Sequence, residues 1–158
     1  MTGETPFIRT GVTAGRLDVA RALADASAPG CGGIGAFVGC VRSSPAAPGR
    51  RDAAVVRLEY EAHPTLAAEA LDGIARQAAR RWNLERVVGL HRTGPCELGE
   101  PTVVVACGAA HRGPALEACR WMIDTIKSSV PIWKREVYAD GSSWVGSEAG
   151  DDRVESTH

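Results

Sequence analysis

The chain has 158 residues, 44% of them apolar and 23% charged, ordinary proportions for a chain long enough to bury a real core in one domain. Its formal net charge of -1 creates no global field for nucleic acid or an anionic membrane, so any anion site must be local. No stretch approaches the roughly 20 apolar residues that span a bilayer, and Met1 to Thr10 lacks the apolar run of a signal peptide.

Leu17, Ala20, Leu23 and Ala24 are spaced as a short amphipathic helix. Ile34 to Val41 is a short apolar run that predicts a buried strand. Ser43 to Asp52 holds two prolines, a glycine and two arginines, the composition of a mobile loop. From Ala54 to Glu61, Val56, Leu58 and Tyr60 alternate with Arg57, Glu59 and Glu61, which predicts a half-buried strand. Pro64 opens a helix through Trp82, with Leu66, Ala67, Ala70, Leu71, Ile74 and Ala78 along one face.

Arg86 to His91 and Thr102 to Ala109 read as an antiparallel strand pair joined by a turn over Thr93 to Glu100. A third helix is expected from about Gly113 to Ser129. Pro131 stops it, and Ile132 to Tyr138 begins another strand. Asp140-Gly141 is a hairpin signal leading to Trp144-Val145. Three helices among hairpin strands predict an α+β fold with a mixed or antiparallel sheet, one domain over 1–146 and a polar, flexible tail over 147–158. The five cysteines form no CxxC pair, which points to a reduced, cytoplasmic chain.

Four motifs bear on chemistry. Gly30, Gly32 and Gly35 satisfy GxGxxG, yet a helix precedes them and a strand follows, the reverse of a dinucleotide site; a helix-to-strand connection fits better. Gly39-Cys40-Val41-Arg42 ends an apolar strand, so the Arg42 guanidinium could face a phosphate or carboxylate, or only solvent. His111-Arg112 stand at the start of the third helix, where backbone N–H groups favour an anion. Two cations there oppose the dipole unless an anion sits between them; a cap for His111 and a surface charge for Arg112 are the alternative roles. The His91-Arg92 dipeptide at a strand end reads as structural.

The longest motif runs from Lys127 through Ser-Ser-Val-Pro-Ile-Trp to Lys134, Arg135 and Glu136. Lys127 falls at the edge of the apolar stripe Leu116, Cys119, Met122, Ile123, Ile126. Lys134 shares a strand face with Ile132 and Glu136. The two amines can therefore meet in one pocket, although the residues alone favour dipole compensation for Lys127 and an edge charge for Lys134.

Taken together, Gly35–Arg42, Leu58–Pro64, His91–Gly94 with Gly99-Glu100, Ala110–Arg112, Ile126–Glu136, Asp140-Gly141 and Trp144-Val145 resemble the molybdopterin synthase catalytic-subunit family. The likeness covers most of residues 30–146. It implies an α/β hammerhead fold and a homodimer that binds two small ubiquitin-like carriers, making a heterotetramer. The carrier's C-terminal Gly-Gly thiocarboxylate would enter the pocket and pass sulfur to cyclic pyranopterin monophosphate, with no metal or other cofactor. The implied catalytic residues are Lys127 and Lys134. The implied substrate-binding set is Cys40, Val41, Arg42, His111, Arg112, Lys127, Lys134, Arg135 and Glu136. Two other chemistries fit the lysines: a non-catalytic module that docks a ubiquitin-like partner, and a Schiff-base enzyme for a small phosphorylated carbonyl compound.

One geometric expectation is independent of the resemblance. If His111 and Lys127 begin and end a single helix, they stand roughly 24 Å apart. Either that helix breaks, or His111 and Arg112 serve the pocket of a second copy.

Overall fold

The computed structural model describes residues 3–45, 47–50 and 53–147. Eleven elements follow in order: β1 (Phe7–Thr13), α1 (Val19–Asp25), β2 (Gly33–Cys40), β3 (Val55–Ala62), α2 (Leu66–Trp82), β4 (Arg86–Arg92), β5 (Gly94–Glu97), β6 (Pro101–Ala109), α3 (Arg112–Ser129), β7 (Ile132–Tyr138) and β8 (Ser143–Ser147). The strands form two four-stranded sheets, β1-β4-β6-β2 and β5-β3-β7-β8. The class is α+β, as the alternation of elements predicts. No described helix is long and apolar enough to cross a membrane.

β6 sits inside the first sheet, between β4 and β2 and antiparallel to both. Its residues from Thr102 to Ala109 are all buried, as expected for a strand covered on both faces. One face meets α1 through Leu17, Ala22, Val88, Leu90, Val104 and Ala106. The other face carries the larger core, where α2 and α3 pack with Val87, Val105 and Cys107. Leu58, Tyr60, Ile132 and Tyr138 of the second sheet close that same core.

Not every strand meets expectation: β2, expected to be buried, is an edge strand with Ile34, Ala36, Phe37 and Cys40 exposed. β1 pairs in parallel with β4 from Phe7↔Arg86 to Thr13↔Arg92, although Phe-Ile-Arg-Thr-Gly-Val-Thr shows no clean alternation. The segment read as a turn at 93–100 contains β5, which leaves the first sheet and pairs with β3 of the second. Gly94 and Gly99, both at positive φ, make that crossover possible.

The loop expected to be mobile between β2 and β3 is tethered in its described part; residues 46, 51 and 52 lie outside the description. Ala47 N–H donates to Glu136 Oε1 at 3.0 Å. Arg50 Nη1 donates to Ser142 Oγ at 2.9 Å, and its guanidinium lies 4.9 Å over the Tyr138 ring. Of the expected tail, Ser147 ends β8, and residues 148–158 lie outside the description.

The glycines of the apparent GxGxxG serve packing. A Cβ on Gly32 would stand 2.2 Å from the Ala110 carbonyl oxygen, and one on Gly35 2.2 Å from that of Ala115. Their absence lets α3 lie directly on β2.

Candidate active site

α3 and β2 are laid side by side in the same direction, since Gly33 faces Arg112 and Gly35 faces Ala115. Seven strand steps and fifteen helix steps both advance roughly 23 Å. The far end of the helix, with Lys127, is thereby brought over the far end of the strand, with Cys40 and Arg42.

A cavity of about 260 Å³ opens there. Lys127, Lys134, Arg42, Cys40 and Glu136 line it, together with Phe37, Leu58, Tyr60 and Thr102. The chain has only two lysines among its 18 basic residues, and both are here. Lys134 is 4% exposed, because β7 alternates Ile132, Lys134, Glu136 and Tyr138 inward with Trp133 and Arg135 outward. Lys127 is half-buried in the last turn of α3, where the negative end of the helix dipole favours a cation.

Glu136, 3% exposed, is the acidic member. Besides the Ala47 N–H, its Oε1 accepts the Tyr138 hydroxyl at 2.9 Å. Burial, followed by that carboxylate, pushes the Tyr138 phenol up to about 12, so the hydroxyl remains a donor. A buried carboxylate held by two donors does not offer itself to an anionic ligand. Its position suits fixing the loop that follows Arg42.

Not every expected residue reaches this cavity. Val41 is 4% exposed and belongs to the main core. Arg135 stands on the opposite face of the sheet, 3.8 Å from Glu59. His111 is the N-cap residue of α3 without a side-chain cap bond, and both it and Arg112 are exposed. The helix between them and Lys127 is unbroken, which removes one of the two ways they could share a substrate. His91 and Arg92 are buried, and Arg92 pairs with Glu100, consistent with the structural reading.

The residues that sequence reasoning passed over are Phe37, Leu58, Tyr60 and Thr102. The alternation on β3 marks Leu58 and Tyr60 as buried, and no local signal tells what they face. Among the described residues, no group of three His, Cys, Asp or Glu side chains could hold a metal ion. Burial pushes the Cys119 thiol to about 11 and the Cys107 thiol higher still, leaving these two cysteines as inert core members. An electropositive, partly sheltered cavity with two amines and a guanidinium can hold an oxyanion and stabilise charge that develops on one.

Comparison with known proteins shows the family. The family model described as "MoaE protein" matches residues 12–129. A molybdopterin synthase catalytic subunit from Oryza sativa subsp. indica is 45% identical over 130 residues, covering 82% of this chain and 65% of that protein. The chain thus spans just under two thirds of that relative's length. Molybdopterin synthase catalytic subunit 1 of Mycobacterium tuberculosis is 38% identical over 144 residues, covering 91% of this chain and 93% of that protein. Among solved structures, molybdopterin synthase from Staphylococcus aureus superposes with a TM-score of 0.77 at 26% identity, covering 85% of this chain and 94% of that one. By the extent of the family match and the identity to these relatives, the chain belongs to the MoaE protein family.

Proposed function

We propose that the chain is the catalytic subunit of a molybdopterin synthase, a cytoplasmic sulfurtransferase of molybdenum-cofactor biosynthesis. The donor is the C-terminal thiocarboxylate of a small ubiquitin-like carrier, and the acceptor is cyclic pyranopterin monophosphate. The observation that carries this reading is the convergence of the chain's two lysines with Arg42 in one sheltered cavity.

The thiocarboxylate sulfur forms a bond to an oxygen-bearing carbon of the pterin side chain as that carbon's C–O bond breaks, the oxygen leaving as water at one carbon and staying on the opened phosphate at the other. Water then cleaves the acyl–sulfur bond, returning the carrier as a carboxylate and leaving the sulfur on the pterin. A second carrier repeats the transfer to complete the dithiolene. Lys127 serves as the acid/base, or transient amine nucleophile, nearest the thiocarboxylate. Lys134 stabilises negative charge on the acyl oxygen and orients the pterin. Arg42, with His111 and Arg112, holds the cyclic phosphate. The carrier supplies the sulfur, so no metal or organic cofactor takes part.

His111 and Arg112 reach the phosphate in this reading from a second copy of the chain. β2 is the edge strand of its sheet, and Ile34 and Phe37 on it and Leu116 beside it are 39%, 37% and 57% exposed. Antiparallel pairing of two β2 strands across a twofold axis sets Gly33 of one copy opposite Cys40 of the other. Because Arg112 lies against Gly33, that pairing carries the α3 N-terminus of one copy to the Lys127 cavity of its partner.

The test is conversion of pyranopterin monophosphate to dithiolene by this chain with thiocarboxylated carrier. Lys127→Ala is expected to reduce turnover by about 10²-fold or more. Full turnover by that variant overturns the assignment.

A further inference from the structure

His91 is 2% exposed and stands at the end of β4, where the chain leaves the first sheet for the second. Its Nδ1 lies 2.8 Å from the Arg92 carbonyl oxygen. A carbonyl can only accept, so Nδ1 carries a hydrogen and donates it, which fixes the plane of the ring. That ring meets Tyr60 edge-on, with centroids 5.1 Å apart and planes at 70°, the T-shaped arrangement that aromatic quadrupoles favour.

Tyr60 is the connection to the cavity. It is 7% exposed, lines the cavity and is registered between Gly94 on β5 and Lys134 on β7. Gly94 brings no side chain to the pairing with Tyr60. Directly opposed residues in such a ladder place their Cβ atoms about 5 Å apart. The Tyr60 ring therefore bounds the volume open to the Lys134 side chain, and His91 packs edge-on against that ring.

We infer that His91 is a positioning residue: acting through Tyr60, it fixes where the Lys134 amine stands in the cavity. The inference rests on the reading in which Lys134 stabilises charge during sulfur transfer. Losing His91 then slows the chemical step more than it weakens the binding of the pterin.

A double-substitution cycle tests this with the full chain and thiocarboxylated carrier. His91→Ala is expected to lower kcat about tenfold, with KM for the pterin within about twofold, and the same change added to Tyr60→Ala should cost no further kcat. His91→Phe, which keeps an aromatic edge, should recover most of the loss. Unchanged kcat in folded His91→Ala, or a second full loss in the Tyr60→Ala background, overturns the inference. Should His91→Ala not fold, His91→Leu replaces it in the cycle. A readout independent of turnover separates the two proposals. With only two lysines present, the acetylation rate of Lys134 relative to Lys127, read by mass spectrometry, should change in His91→Ala. An unchanged ratio refutes the positioning role, whereas an inactive wild type with a changed ratio refutes only the sulfur-transfer reading.

Discussion

A Cβ at Gly35 would stand 2.2 Å from the Ala115 carbonyl oxygen and 2.9 Å from the Leu116 nitrogen. Both are backbone atoms of α3, so neither can swing aside. Gly35→Ala is therefore expected to destabilise the fold by about 1–3 kcal/mol, read as a lower urea midpoint, and to lift the helix that delivers Lys127. Gly113 is the control: a Cβ there meets nothing within 4 Å, and Gly113→Ala in the first turn of α3 should stay within about 1 kcal/mol of the parent. If both variants unfold at the same denaturant concentration, close helix–strand contact is not what Gly35 provides. At this scale the sequence is legible where periodicity speaks. Lys134 and Glu136 share an inward face because strands alternate, and the same rule turns Arg135 outward to Glu59. Val41, which the resemblance implies among the substrate-binding residues, has its side chain in the core.

The crossover between the sheets is held by charge. Arg92 Nη1 donates to Glu100, whose Oε2 also receives the Glu97 N–H at 3.3 Å, with Arg16 3.7 Å from the other oxygen. The Arg92 hydrogen bond holds the Glu100 carboxyl below its ordinary value of 4.5. A depressed folded pKa means stability that is complete above about pH 4.5 and is lost as the pH falls through the folded value. Glu100→Gln should accordingly lower stability near neutrality and flatten part of the acid limb in urea midpoints taken from about pH 7 to pH 3. The remaining slope belongs to groups such as Asp25, lowered by its hydrogen bond from Arg9. A variant with the parent's full acid slope would show that this pair contributes nothing. β5 and β1 are the elements least legible in the sequence, for related reasons. β5 consists of turn residues made into a strand by pairing with β3, and β1 is defined by parallel partners far along the chain. α2 and α3 were legible because each carries its apolar stripe within its own sequence.

Two copies would reconcile what one cannot. α3 is continuous from Arg112 to Ser129, so His111 and Lys127 of one chain stand roughly 24 Å apart and cannot share a small substrate. With trans sites, a dimer of one Lys127→Ala copy and one His111→Ala copy builds one site lacking both groups and one site lacking neither. With cis sites, the same dimer has one defect at each site and none is whole. Randomly mixed, half of the dimers are mixed, and each carries one intact site. Combining the two inactive variants should therefore restore about one quarter of parental turnover. Recovery is read by dithiolene formation after the mixed species is verified by mass spectrometry. Mixed dimers that are present and inactive would place His111 outside the partner's site. The edge-to-edge pairing of β2 would then lose its functional argument, because bringing the start of α3 in one copy to the end of α3 in the other is the one thing that pairing achieves for the chemistry.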